Sequence, residues 1–119
     1  MKENVIKNRS FTFALRIVKA YQFLCDQKKE YVLSKQMLRS GTAIGAMIRE
    51  AEQAENSADF VHKMAIALKE ANETEYWIDL LAQSSYLDEI AFNSLKIDLT
   101  EILKLLISII KTTKQNAKK

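Results

Sequence analysis

The chain has 119 residues, 48% of them hydrophobic, and a net charge of +3, which suits one folded domain over 1–119 and excludes a disordered tail. Proline is absent and glycine occurs only at Gly41 and Gly45, which argues against an all-β fold, where turns need such residues every few positions. One cysteine, Cys25, and one histidine, His62, exclude an internal disulfide framework and a multi-cysteine zinc site and remove most metal and acid–base catalytic schemes.

The first predicted helix covers about residues 10–29 and starts from Ser10 as N-cap. Phe11, Leu15, Val18, Tyr21 and Cys25 recur at helical spacing, and Phe13, Ile17, Ala20 and Leu24 widen that stripe. Cys25 continues an apolar stripe, so it reads as a buried thiol rather than a nucleophile. Lys28 and Lys29 suit the negative end of the helix.

The second helix is expected over about 33–54, with Met37, Gly41, Ile44, Ile48 and Ala51 on one face. Each glycine inside it costs about 1 kcal/mol of helix propensity relative to alanine, so something must compensate. Gly41 and Gly45, flanked by Ala43 and Ala46, make a side-chain-poor strip that suits close approach of another helix.

The third helix is expected over about 57–83, capped by Ser57, with Asp59 in its first turn. Phe60, Met64, Ala67, Ala71, Thr74, Trp77 and Leu81 form its stripe. The small middle of that stripe matches the small middle of the second helix, so the two are expected to pack antiparallel there.

The fourth helix is expected over about 88–113, with Asp88 as cap and fraying from Asn116 to Lys119. Phe92, Leu95, Leu99, Ile102, Leu106, Ile109 and Thr113 form a heptad seam. Ile102, Leu103, Leu105, Ile107, Ile109 and Ile110 leave almost no polar direction around this helix. A helix apolar all round needs cover beyond one bundle core, so a second copy of the chain is expected on it. Four amphipathic helices joined by short loops make an all-α, up-down-up-down antiparallel four-helix bundle.

Charge is unevenly spread. The net is +4 over 1–31, zero over 32–55, −3 over 56–87 and +2 over 88–119. On the fourth helix Lys96, Lys104, Lys111 and Lys114 fall within about 80° of one another at 100° per residue. Arg9, Arg16 and Lys19 form a similar stripe on the first helix. If the two stripes merge, they make a phosphate-binding face with little sequence preference. The plainer alternative is solvated helix surface. On the third helix, Lys69, Glu70, Glu73, Glu75 and Asp79 read either as a solvated face or as partners for Arg39 or Arg49 across helices or subunits. Tyr76 and Trp77 read as core or interface anchors rather than base-stacking platforms.

No pair of Glu-x-x-His motifs, phosphate loop or serine elbow is present, so neither an enzyme, a cofactor nor a metal is expected. No secretory signal is visible, and the most apolar window, Ile102 to Ile110, contains Lys104 and is too short to span a bilayer. The expected location is the cytoplasm, without membrane attachment.

The run from Ser34 to Ala46, with Arg39, Gly41, Ile44 and Gly45, resembles the signature of the 23S rRNA intervening-sequence protein family. Arg49 and Glu50 continue the match, and Lys69, Glu70, Glu73, Tyr76 and Trp77 resemble its second half. The family pattern commonly has Ser where Ala43 stands and Asn where Met47 stands, so this chain has fewer polar groups on the second helix. The resemblance implies small helical bundles assembled as homopentamers. A related group is the accessory variability determinant of diversity-generating retroelements, which works with a reverse transcriptase and nucleic acid. It therefore implies a non-enzymatic oligomer with RNA, DNA or a reverse transcriptase as candidate partners. The competing reading is a protein-interaction scaffold with no nucleic-acid role.

Overall fold

A computed structural model describes residues 2–118, with side chains from Asn4 to Lys118. Its four helices are α1 (Lys2–Asp26), α2 (Leu33–Ala51), α3 (Ser57–Gln83) and α4 (Glu89–Ala117). Each packs on its sequence neighbours and α4 returns to α1, closing a ring around one core. Contacts run in opposite senses along each pair. Lys7 meets Glu52 while Cys25 meets Ser34, and Arg39 meets Glu73 while Glu50 meets Lys63. The result is an up-down-up-down four-helix bundle of 52 × 21 × 19 Å.

α1 begins well before Ser10, which is not its cap. Ser10 is buried within the helix and its hydroxyl donates to the Lys7 carbonyl at 3.0 Å. The core face of α1 is Ile6, Phe13, Ile17 and Leu24, all essentially inaccessible. The expected leading stripe is displaced outward, leaving Phe11 49% and Leu15 52% exposed. Two interleaved apolar sets lie on this helix, and the one that includes Ile6 takes the interior. Cys25 is half-buried rather than buried, with Sγ 3.9 Å from Ser34 Oγ.

The glycine strip of α2 faces α1, not α3. A Cβ added to Gly41 would stand 2.9 Å from Ile17 Cγ2, and one on Gly45 would stand 3.4 Å from Ser10 Oγ. Small residues there let α1 settle against the α2 backbone, which offsets their poor helix propensity. Against α3, α2 instead presents Ser40, 2.9 Å from the Thr74 hydroxyl, with both residues buried. Met47, one of the family departures, packs against the core.

The turns are built by side chains and backbone together. Glu30 folds its carboxylate onto the start of α2 and accepts from the N–H groups of Val32, Leu33 and Ser34 at 2.7 to 3.1 Å. Burial pushes this carboxyl up, but the N–H groups of Leu33, Ser34 and Val32 outweigh burial and leave it below the usual carboxylate range. α2 stops at Ala51, short of the expected Ala54, as the chain tightens through Gln53 N–H to Glu50 O and Ala54 N–H to Ala51 O. The cap of α3 is Asn56, not Ser57: its side chain accepts from Asp59 N–H at 2.9 Å. Asp88 caps α4 as expected, accepting from Ala91 N–H at 2.8 Å. α4 runs on to Ala117, past the expected end at Thr113, and Lys119 lies outside the described residues.

The seam of α4 places Leu95, Leu99, Ile102, Leu106 and Ile109 in the core. Leu103, Leu105 and Ile110 also pack against it from the flanks. Neighbouring helices therefore cover more of α4 than its sequence pattern implies. The apolar surface left on its outer side is Ile90 (83% exposed), Ile97 (62%) and Ile107 (54%).

Candidate functional site

The two basic stripes do not merge. Arg9 pairs with Glu101, and Arg16 pairs with Asp98 while donating to Ser94 O at 3.3 Å and Ser94 Oγ at 2.7 Å. Both arginines thus stitch α1 to α4, and the carboxylates that hold them stand between α1 and the lysines. Lys96 turns to the other side, bonding Asp79 at 2.9 Å and Glu75 at 3.0 Å on α3. Burial lowers its pKa, but the two carboxylates outweigh burial and leave the ammonium above its ordinary value. Three of the seven expected phosphate-binding cations therefore spend their charge inside the chain.

The other four are solvent-facing. Lys19, Lys104, Lys111 and Lys114 are exposed and make no ion pair among the described residues. Lys104 and Lys111 lie on the outer face of α4, and Lys114 follows in its last turn. Beyond Glu101 the sequence contains no acidic residue to neutralise them.

The motif residues on α2 and α3 gather into a polar ladder. Arg39 pairs with both Glu70 and Glu73. Glu73 also accepts from the Trp77 indole N–H at 3.0 Å. That bond, set against burial and reinforced by Arg39, holds the Glu73 carboxyl below its ordinary pKa. Glu50 pairs with Lys63 at 3.3 Å, and Tyr76 stands edge-on to Trp77 at 4.9 Å. Arg49 lies over the Phe11 ring at 5.0 Å, joining α2 to the outer face of α1. Ser34 donates to the Glu30 carbonyl at 2.7 Å, while Ile44 fills the core. Lys69 is exposed on α3. The α2–α3 motif is thus largely a folding signature: its polar groups find one another within the chain.

Sequence periodicity missed the carboxylates opposite Arg9 and Arg16. A helical projection places residues around one helix but does not say which charges a neighbour brings. The alternation of Arg9 and Arg16 on α1 with Asp98 and Glu101 on α4 was the available signal.

Fold and ladder together define an all-α antiparallel four-helix-bundle protein with a basic outer face on its last helix. The chain belongs to the 23S rRNA-intervening sequence protein family, whose model matches residues 2–108. Among solved structures it resembles a Bacteroides thetaiotaomicron VPI-5482 protein of the S23 ribosomal protein family, whose function is described as unknown. The two share 60% identity with a TM-score of 0.92, over 93% of this chain and 99% of the other. No curated protein matches the chain.

Proposed function

We propose that this chain is a non-enzymatic, self-associating helical bundle that presents the lysines of outer α4 to a polyanion such as RNA or DNA. The observation that carries this reading is the run after Glu101, where Lys104, Lys111 and Lys114 are exposed and make no ion pair among the described residues, and where the sequence holds no further acidic residue. Self-association multiplies the +3 of each chain into a stronger field. Its support is the apolar surface on outer α1 and α4, where Phe11, Leu15, Ile97 and Ile107 are each about half exposed or more. The pentamer that the family resemblance implies is the expected stoichiometry.

The test is filter binding of a structured RNA and a DNA duplex across a salt series. Affinity should fall log-linearly with salt, and Lys111→Glu with Lys114→Glu should reduce the slope by about 2, one unit per lost phosphate contact. Binding that ignores salt, or survives both reversals unchanged, would remove the polyanion. A protein-interaction scaffold is the second reading. It is favoured by Tyr76, which is 59% exposed although its neighbour Trp77 is anchored. A nuclease-insensitive partner lost on Tyr76→Ala would support it.

A further inference from the structure

Of the four neighbouring helix pairs, α1 and α4 pack least closely. Where the end of α1 passes the start of α4, each helix contributes an alanine, Ala20 and Ala91, both partly buried. Small side chains on both sides leave a gap, and a cleft of about 380 Å³ lies there. Arg16, Ala20 and Phe23 follow one another at spacings of four and three along α1. Asp88, Ala91 and Leu95 do so at three and four along α4, so one face of each helix lines the opening. Leu87 and Leu95 are nearly inaccessible and close its floor. Phe23 is 44% exposed, so much of one apolar wall is wet. A ligand with an apolar body would take that surface out of water.

Three charged side chains line the cleft, and two are already committed. Arg16 holds Asp98 and Ser94. Asp88 accepts from Ala91 N–H at 2.8 Å, its charge set against the positive end of α4. Lys19 is exposed and makes no ion pair among the described residues. The uncommitted charge on the lining is therefore positive. Lys28 adds a second ammonium nearby, 6.0 Å from the centre of the Phe23 ring.

We infer that this cleft binds a small organic carboxylate, its apolar body laid between Phe23 and Leu95 and its carboxylate paired with Lys19. The volume lies toward the small end of the range for organic ligands, roughly 300–1,000 Å³. It suits a short alkyl chain or a fused pair of rings. One free ammonium on the lining matches one carboxylate, not the several charges of a nucleoside polyphosphate. The site is separate from the α4 lysines offered to a polyanion, so it stands independently of that reading.

The experiment is isothermal titration calorimetry on the full chain with octanoate, 2-naphthoate, and octanamide as the uncharged match of octanoate. Saturable binding of one or both acids, one per chain, is expected. Octanamide should bind about tenfold more weakly than octanoate, for want of a charge-assisted hydrogen bond. Lys19→Gln should bring octanoate down to the level of octanamide and leave octanamide unchanged. Ala91→Phe fills the cleft and should abolish binding of both acids. Ala20→Leu fills it more gently and should weaken them, circular dichroism confirming that each variant is folded. No saturable binding of either acid would overturn the inference. So would binding that either Lys19→Gln or the filled cleft leaves unchanged.

Discussion

Gly41 lies so close to Ile17 that a Cβ on it would stand 2.9 Å from Ile17 Cγ2 and 3.0 Å from Cγ1. Ile17 is completely buried, and those two carbons branch directly from its Cβ, so it has nowhere to swing. Gly41→Ala should therefore destabilise the protein by about 1–3 kcal/mol despite its better helix propensity. Gly45 differs, because its added Cβ would meet Ser10 Oγ at 3.4 Å, an ordinary contact. Gly45→Ala should be neutral to stabilising, by up to about 1 kcal/mol. Urea denaturation of both variants checks the opposed signs.

The Glu30 carboxylate accepts three N–H groups at the start of α2. Glu30→Ala should cost about 1–2 kcal/mol, as loss of a helix cap does. Its folded pKa is lowered, so its contribution is present above the unfolded carboxyl pKa and fades as pH falls through the folded value. Glu73 has the same sign, held down first by Trp77 and then by Arg39. Thermal melts should show stability falling into acid, with a shallower fall in Glu30→Gln and Glu73→Gln.

Lys29 and Ser85 adopt left-handed backbone, with φ of 55° and 69°. Both follow helix ends, where Glu30 N–H bonds Leu24 O and Tyr86 N–H bonds Leu81 O. Glycine takes this conformation without a Cβ penalty. Lys29→Gly and Ser85→Gly should each stabilise by about 0.5–1 kcal/mol or leave stability unchanged, read from denaturation midpoints. Substituting valine at either position should destabilise.

Ser40 and Thr74 meet 2.9 Å apart in the interior. Thr74→Val would leave Ser40 short of a partner and should cost about 1–3 kcal/mol. Adding Ser40→Ala should cost less than the separate effects combined, because no hydroxyl is then stranded. A double-mutant cycle measures the difference.

The sequence made some parts of the molecule legible and left others hidden, for physical reasons. α3 and the Asp88 cap follow from local signals: a periodic stripe, and a carboxylate just before it. The early start of α1 does not, because Ser10 is a good capping residue by type and only Gly45, far along the chain, explains its place within a helix. Periodicity placed Gly41 and Gly45 on one face but could not say that α1 would occupy it. The core of α1 was ambiguous because two apolar sets were available. At the candidate site, the exposure of Lys104, Lys111 and Lys114 follows from their spacing. The capture of Arg9, Arg16 and Lys96 depends on acidic residues that only the packed helices bring near.

The most direct measurement is the mass of the wild-type chain in solution at micromolar concentration, by sedimentation equilibrium. Cover for Ile97, Ile107, Phe11 and Leu15 by sister chains predicts a defined multiple of 13.7 kDa. A species of 13.7 kDa, unchanged with concentration, would contradict the account.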